Sequence, residues 1–196
     1  DEAKFGLAAV DISTGAFSVS ETGPAGLASA IARLEPREIV ASDALAQDAE
    51  VMRLLAEAGA PLAPIGRDAG AGASAERRLC DFFGIAAIDG FGGLSRAEVA
   101  AAATVIMYVE KTQLGARPAL ARPKREARGA TLEIDAATRA NLELTRTLSG
   151  QREGSLLAAI DRTQTPAGAR LIAERLAGPL TDATAIERRL DAVAFL

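Results

Sequence analysis

The chain has 196 residues, 22 basic against 26 acidic, a net charge of −4, and a composition nearly half hydrophobic but only 4% aromatic. One cysteine, Cys80, and no histidine exclude an internal disulfide, a Cys/His zinc site and every nucleophilic arrangement that needs an imidazole base. Thirteen basic residues face sixteen acidic ones up to Arg125, and nine face ten beyond it, so neither half has the cationic excess of an autonomous nucleic-acid binder.

No apolar run approaches the roughly 20 residues of a membrane span, and the start has no signal-peptide layout. A soluble, cytoplasmic chain without a membrane partner is the expectation. With so few aromatics the core has to be built from Leu, Ile, Val and Ala, a composition that favours helices over strands.

In chain order, FGLAAVDI, the turn Ser13-Thr14-Gly15, and AFSVSE predict a β-hairpin with Gly15 at positive φ. Phe5, Leu7 and Ala9 alternate with Ala8, Val10 and Ile12. Both faces of this first strand are apolar, which predicts a central strand covered on both sides. Pro24 opens a helix with Leu27, Ile31 and Leu34 on one face, and Pro36 stops it. Residues 37–41 predict a short strand, and Asp48 to Ala58 a helix with Val51, Leu54, Leu55 and Ala58 aligned and Gly59 closing it. Residues 61–65 read as an edge strand because of their prolines.

After a glycine-rich loop, Ser74 is the expected cap of a helix to Phe83 that buries Leu79 and a phenylalanine. IDGFGGLS ends in Ser95, with Glu98 at capping-box spacing, and starts a long apolar helix over roughly 96–114. Alternating strands and helices to this point predict an α/β sheet with helices on its faces. Residues 115–130, with two prolines, two glycines and a run of basic side chains, read as a linker. Beyond it, Thr131–Ile134 reads as a short strand. Asp135 caps a helix to about Leu148, Ser155 a short one, and Thr165-Pro166 a helix ending at Gly178-Pro179. Asp182 starts a last helix with Ile186, Leu190 and Val193 aligned. That helix is still apolar at Leu196, and the chain begins without Met, so a piece of a longer protein is expected.

Asp11 is the sharpest candidate for chemistry. A first strand carrying Asp before a hairpin is how metal-dependent ribonuclease-H-like nucleases begin. Two-metal hydrolysis also needs further carboxylates, for which Asp43, Asp89 and Glu110 are the available residues. The plainer reading is an Asp hydrogen-bonded within a Ser-Thr turn. Gly90–Ser95 lacks the Lys-Ser/Thr of a phosphate loop and reads as structural. The basic run 123–128, including Lys124 and Arg125, has no interleaved aromatics, so any nucleic-acid contact there would be non-specific and salt-sensitive. Arg77, Arg78 and Asp81 fall on the expected outer face of the helix to Phe83, where a charged rim suits partner docking. Cys80 reads as a small, half-buried apolar residue.

IDAATRANLEL at 134–144, SLL at 155–157, the D-x-T-x-T-x-x-G-x-R of Asp161 to Arg170 and the L-x-x-P of Leu176 to Pro179 resemble the start of the core, or lever, domain of the bacterial MutS family of DNA mismatch repair proteins. FGLAAVDISTGAFSVSE, GFGG with its long helix and YVEKTQ at 108–113 resemble the connector domain of the same family. The resemblance implies an α/β ribonuclease-H-like connector domain over 1–122, a linker at 123–130, and an incomplete all-α core (lever) segment over 131–196. It implies a non-catalytic segment that relays conformational change and offers a docking surface for MutL, with Arg77, Arg78 and Asp81 as candidate partner-binding residues. No catalytic, cofactor-binding or metal-binding residue is expected in the chain. The family's ATP and Mg, its contact with mismatched DNA and its dimerisation belong to the full-length protein. Arg139 and Arg170 lie inside matched motifs and are expected in packing and ion pairs. The alternatives are a metal-dependent nuclease built on Asp11 and a non-specific DNA-binding module built on 115–130.

Overall fold

The computed structural model describes residues 4–56, 59–66, 72–113, 117–127 and 129–195. Two compact units emerge, Asp1–Ile31 with Glu35–Ala127, and Ala32–Leu34 with Arg128–Leu196.

In the first unit, β1 (Phe5–Asp11) and β2 (Ala16–Thr22) form the expected hairpin, antiparallel from Phe5 opposite Thr22 to Asp11 opposite Ala16. Gly15 takes φ +75° at the turn. β5 (Lys124–Arg125) runs parallel to β2, which gives a three-stranded sheet in the order β1-β2-β5. A separate parallel pair joins β3 (Ile39–Ser42) to β4 (Leu62–Ile65). The centre of the three-stranded sheet is thus β2, not β1 as the apolar alternation predicts. The chain returns at residue 124 along the free edge of β2, and β1 is left flanking. The two-faced apolarity of β1 is real all the same. Ala8 and Val10 pack on one cluster, Phe5 and Leu7 on another.

The first cluster is built on α5 (Arg96–Thr112), whose Val99, Ala102, Ala103, Ile106 and Val109 are buried. Spacing by three and four gives one continuous stripe. It meets Phe17 and Val19 of β2, and Ala75 and Leu79 of α4 (Gly72–Phe83). Sparse as they are, the phenylalanines concentrate here. Phe83 lies 6.1 Å from Phe17, 5.0 Å from Phe82 and 5.5 Å from Phe91, the last two edge-on, an arrangement that suits the ring quadrupoles. In the second cluster, Leu27 and Ile31 of α1 (Pro24–Leu34) meet Val51 and Leu55 of α3 (Ala49–Ala56). A short α2 (Asp43–Ala46), capped by Ser42, lies between β3 and α3.

Two boundaries differ from expectation. Asp48 caps α3 from outside by accepting the amides of Glu50 and Val51, while Ala58 falls outside the described residues. α4 starts at Gly72, which puts Ser74 inside its first turn. Ala75, buried one turn before Leu79, carries the helical stripe that far back.

In the second unit, α6 (Ala136–Asn141) is capped by Asp135, which accepts the Thr138 amide at 2.8 Å. It does not run to Leu148. Glu143 adopts φ +46°, a left-handed conformation that ends a helix, and its carboxylate accepts the Leu148 amide at 2.7 Å. α7 (Leu156–Ile160), α8 (Pro166–Ala177) and α9 (Ala183–Phe195) follow. Ser155 caps α7, Thr165 caps α8 with Pro166 at its first position, and Asp182 accepts amides of the first turn of α9. The strand expected at 131–134 is a single antiparallel bridge from Thr131 to Leu180, beside Leu132 N–H donating to the Pro179 carbonyl at 2.7 Å.

The tightest approach in the first unit is at Gly6, where an added Cβ would lie 2.0 Å from the Ala97 carbonyl oxygen. Only a bare backbone lets α5 sit this close on β1. Gly6→Ala is expected to destabilise the chain by about 3 kcal/mol, as overpacking against backbone does, measured as a lower urea midpoint at unchanged slope. A midpoint equal to the parent's would show that α5 stands off β1.

Candidate functional site

Asp11 closes β1 and belongs to the hairpin turn. Its Oδ1 accepts the Ser13 amide at 2.8 Å and the Ser13 hydroxyl at 2.6 Å, and its carbonyl accepts the Gly15 amide at 2.8 Å. The Ser13 hydroxyl bond, partly opposed by desolvation, holds the Asp11 carboxyl below its ordinary value. Among the described residues no group of three or more His, Cys, Asp or Glu side chains is placed to hold a metal ion. The geometry is that of an Asx turn, and the nuclease alternative finds no support in it.

On α4 the three candidate docking residues separate. Arg77 and Asp81, four apart, are exposed on the outer face. Arg78 turns inward instead, beside the stripe of Ala75, Leu79 and Phe82, and its Nη1 lies 3.5 Å from Oε2 of Glu110 on α5. Glu110 also meets Arg117 at 3.6 Å. Arg117 donates to the Asp81 carbonyl at 3.4 Å and stands 5.6 Å over the Phe82 ring, within cation–π range. Two guanidiniums and one carboxylate therefore pin the end of α4 to α5. Position 78 lies three and four residues from 75 and 82, so the helical periodicity itself marks it as inward-facing. Glu110 and Arg117 carry no comparable signal.

The basic run 123–128 is also more than a solvated tether. Lys124 and Arg125 form β5, and Arg125 Nε donates to Glu98 Oε1 at 2.8 Å. Glu98 is 1% exposed. Its Oε2 accepts the Ser95 amide at 2.7 Å while Ser95 Oγ accepts the Glu98 amide at 3.2 Å, the reciprocal capping box expected at the start of α5. The spacing of Ser95 and Glu98 announces the cap, but nothing in it announces that Glu98 is buried or that its partner lies 27 residues on.

In the second unit the Asp161 carboxylate accepts the Thr163 amide at 3.0 Å and the Thr163 hydroxyl at 2.6 Å, and pairs with Arg152. The Thr163 hydroxyl first, then its amide and the Arg152 charge, hold the carboxyl below its ordinary value. Gly168 lies under Thr163 and Thr165, whose side chains would stand 3.2 Å from an added Cβ. The D-x-T-x-T-x-x-G motif is thus a self-contained cap at the entrance to α8. Arg139 is buried at 6% exposure, whereas Arg170 is exposed on α8.

Comparison with known proteins accounts for both units. The family described as MutS domain II matches residues 1–121, and MutS domain III matches residues 137–196. Curated relatives called DNA mismatch repair protein MutS include those of Rhodopseudomonas palustris (strain HaA2), 59% identical over 97% of this chain, and Nitrobacter winogradskyi, 55% identical over 98%. That of Azorhizobium caulinodans is 54% identical over 98%. The chain spans about a fifth of the length of these relatives, 21%, 22% and 21% in turn.

A carboxyl whose folded pKa is depressed adds stability above its unfolded value and loses it as pH falls through the folded one. Asp11→Asn keeps an oxygen acceptor in the turn but removes this titration. The variant is expected to show a shallower loss of Tm than the parent between about pH 5 and pH 2, followed by circular dichroism. Equal slopes would mean the turn does not discriminate the charged form.

Proposed function

The chain belongs to the MutS family of DNA mismatch repair proteins, as its domains II and III, and from that premise we propose that it is a non-catalytic segment serving docking and relay. The first unit supplies a rigid docking surface for a MutL-type protein, and the second passes conformational change onward within the full-length protein. On this reading the first unit has the ribonuclease-H-like connector fold, with Asp11 as a turn residue and not a metal ligand. ATP, Mg, the mismatched DNA and the dimer contact belong to other parts of the full-length, cytoplasmic protein. The sequence here contains no GxxxxGK[ST] phosphate loop.

The observation that carries the docking reading is the fixed outer face of α4. Arg77 and Asp81 point to solvent while the residues between and beneath them are locked by Leu79, by the Arg78–Glu110–Arg117 network and by the Phe82 ring. A charged pair on a helix packed against the core gives a partner both register and electrostatic complementarity. Arg78 contributes by holding this face, not by reaching across it.

Isothermal titration of the chain with a MutL-type protein tests this reading. Arg77→Glu and Asp81→Arg, which leave the Glu110 network intact, are each expected to weaken binding by about tenfold or more, as reversing a charge in an interface does. Unaltered affinity in both variants would move the docking surface elsewhere, and a folded chain that does not bind would refute docking by this segment.

A further inference from the structure

Residues 117–127 are fastened to the hairpin in an unequal way. β5 is only two residues long. Around it, the Ala121 amide donates to the Gly15 carbonyl at 2.7 Å and the Glu126 amide to the Val19 carbonyl at 2.8 Å. The segment passes so near the hairpin that a Cβ on Gly15 would lie 2.4 Å from the Ala119 carbonyl. A strand this short is weakly held by backbone bonds alone. Further along the segment Arg117 meets Glu110, Leu120 packs on the first cluster and Pro123 is buried, while the contact that reaches a buried charge is ionic, from Arg125, whose side chain is 48% exposed, to Glu98, which is 1% exposed.

We propose that residues 121–127 form a releasable strap and that the Glu98–Arg125 ion pair is its latch. The asymmetry of the pair makes it one. Glu98 cannot follow a departing strap, because it sits in the first turn of α5 with Oε2 committed to the Ser95 amide. Arg125 already has half its side chain in water and loses little by leaving. Opening the strap therefore takes the counter-ion from a carboxylate that stays fixed by its capping amide, and parting such a pair is destabilising. A two-residue strand that would otherwise fray by degrees becomes closed or open as a unit. The strap also leads directly into the second unit, so its state is what the first unit can hand on. That regulatory meaning rests on the relay reading above, whereas the latch itself stands on the geometry.

Amide hydrogen exchange on the chain tests the latch. Arg125→Met keeps the length of the side chain without its charge, and should speed exchange at Ala121 and Glu126 by about tenfold or more while Ile106 in α5 keeps its protection. Arg125→Lys should restore most of the protection. Glu98→Gln preserves an acceptor for the Ser95 amide and should open the strap as Arg125→Met does, and combining the two should add nothing further. Unchanged exchange at Ala121 and Glu126 in Arg125→Met would overturn the latch, and so would an equal acceleration at Ile106, which marks a general loss of stability. In a full-length MutS carrying this segment, exchange at the same two amides should differ between nucleotide-free and ATP-bound protein. No difference there would overturn the relay while leaving the latch in place.

Discussion

The first unit is organised around one carboxylate. Glu98 accepts the Ser95 amide with one oxygen and the Arg125 guanidinium with the other while almost wholly removed from water. A buried carboxylate is stable when both oxygens are satisfied, so the start of α5 and the returning strand support each other. α5 in turn carries the core. It lies against β1 at Gly6, buries Phe17 and Val19 of β2, and receives Leu79 of α4. The network around Glu110 repeats the device at the other end of the helix, nearer to solvent and with two guanidiniums on one acid. The two ends of α5 thus tie the strap and α4 to the same helix.

The second unit is held differently. Of the buried hydrophobic residues among those described, Leu144, Leu157 and Ala177 lie beyond residue 128, against sixteen before it. Exposed large hydrophobics show the reverse, with Leu190 at 61%, Val193 at 66% and Phe195 at 91%. Its helices are specified locally, by Asp135, Ser155, Thr165 and Asp182 at their starts. Each such cap contributes about 1 kcal/mol, enough to place a helix and too little to replace a core. Ile186, Leu190 and Val193 recur at four and three residues, the spacing of a helix that buries a stripe against other helices. Apolar surface on this scale marks a contact surface.

What could be read from the sequence was mostly what is local. The Ser95–Glu98 box, the Thr165-Pro166 start, the hairpin around Gly15 and the apolar stripes of α1 and α3 all depend on residues within a turn or two of each other, and among the described residues they are found where the spacing places them. The misreadings involve longer reach or competing backbone states. β1 looks central because both its faces are apolar, but the order of the sheet was decided by a strand more than a hundred residues later. The helix expected to reach Leu148 ends at Asn141 because Glu143 adopts a left-handed conformation that its composition does not advertise. Arg78 is expected on the outer face with Arg77 and Asp81, although the positions of Ala75, Leu79 and Phe82 already place it on the inner side. Glu110 and Arg117 acquire meaning only once α4 and α5 are packed.

The most direct measurement is residue-resolved hydrogen exchange across the whole unmodified chain. If the first unit is a self-contained body and the second is held by its caps, amides of Ala103 and Ile106 should exchange only through global unfolding. Those of α8 and α9 should exchange at least about a hundredfold faster, as segments of low local stability do. Protection in α9 equal to that in α5 would contradict this division and show that the second unit is as firmly built as the first.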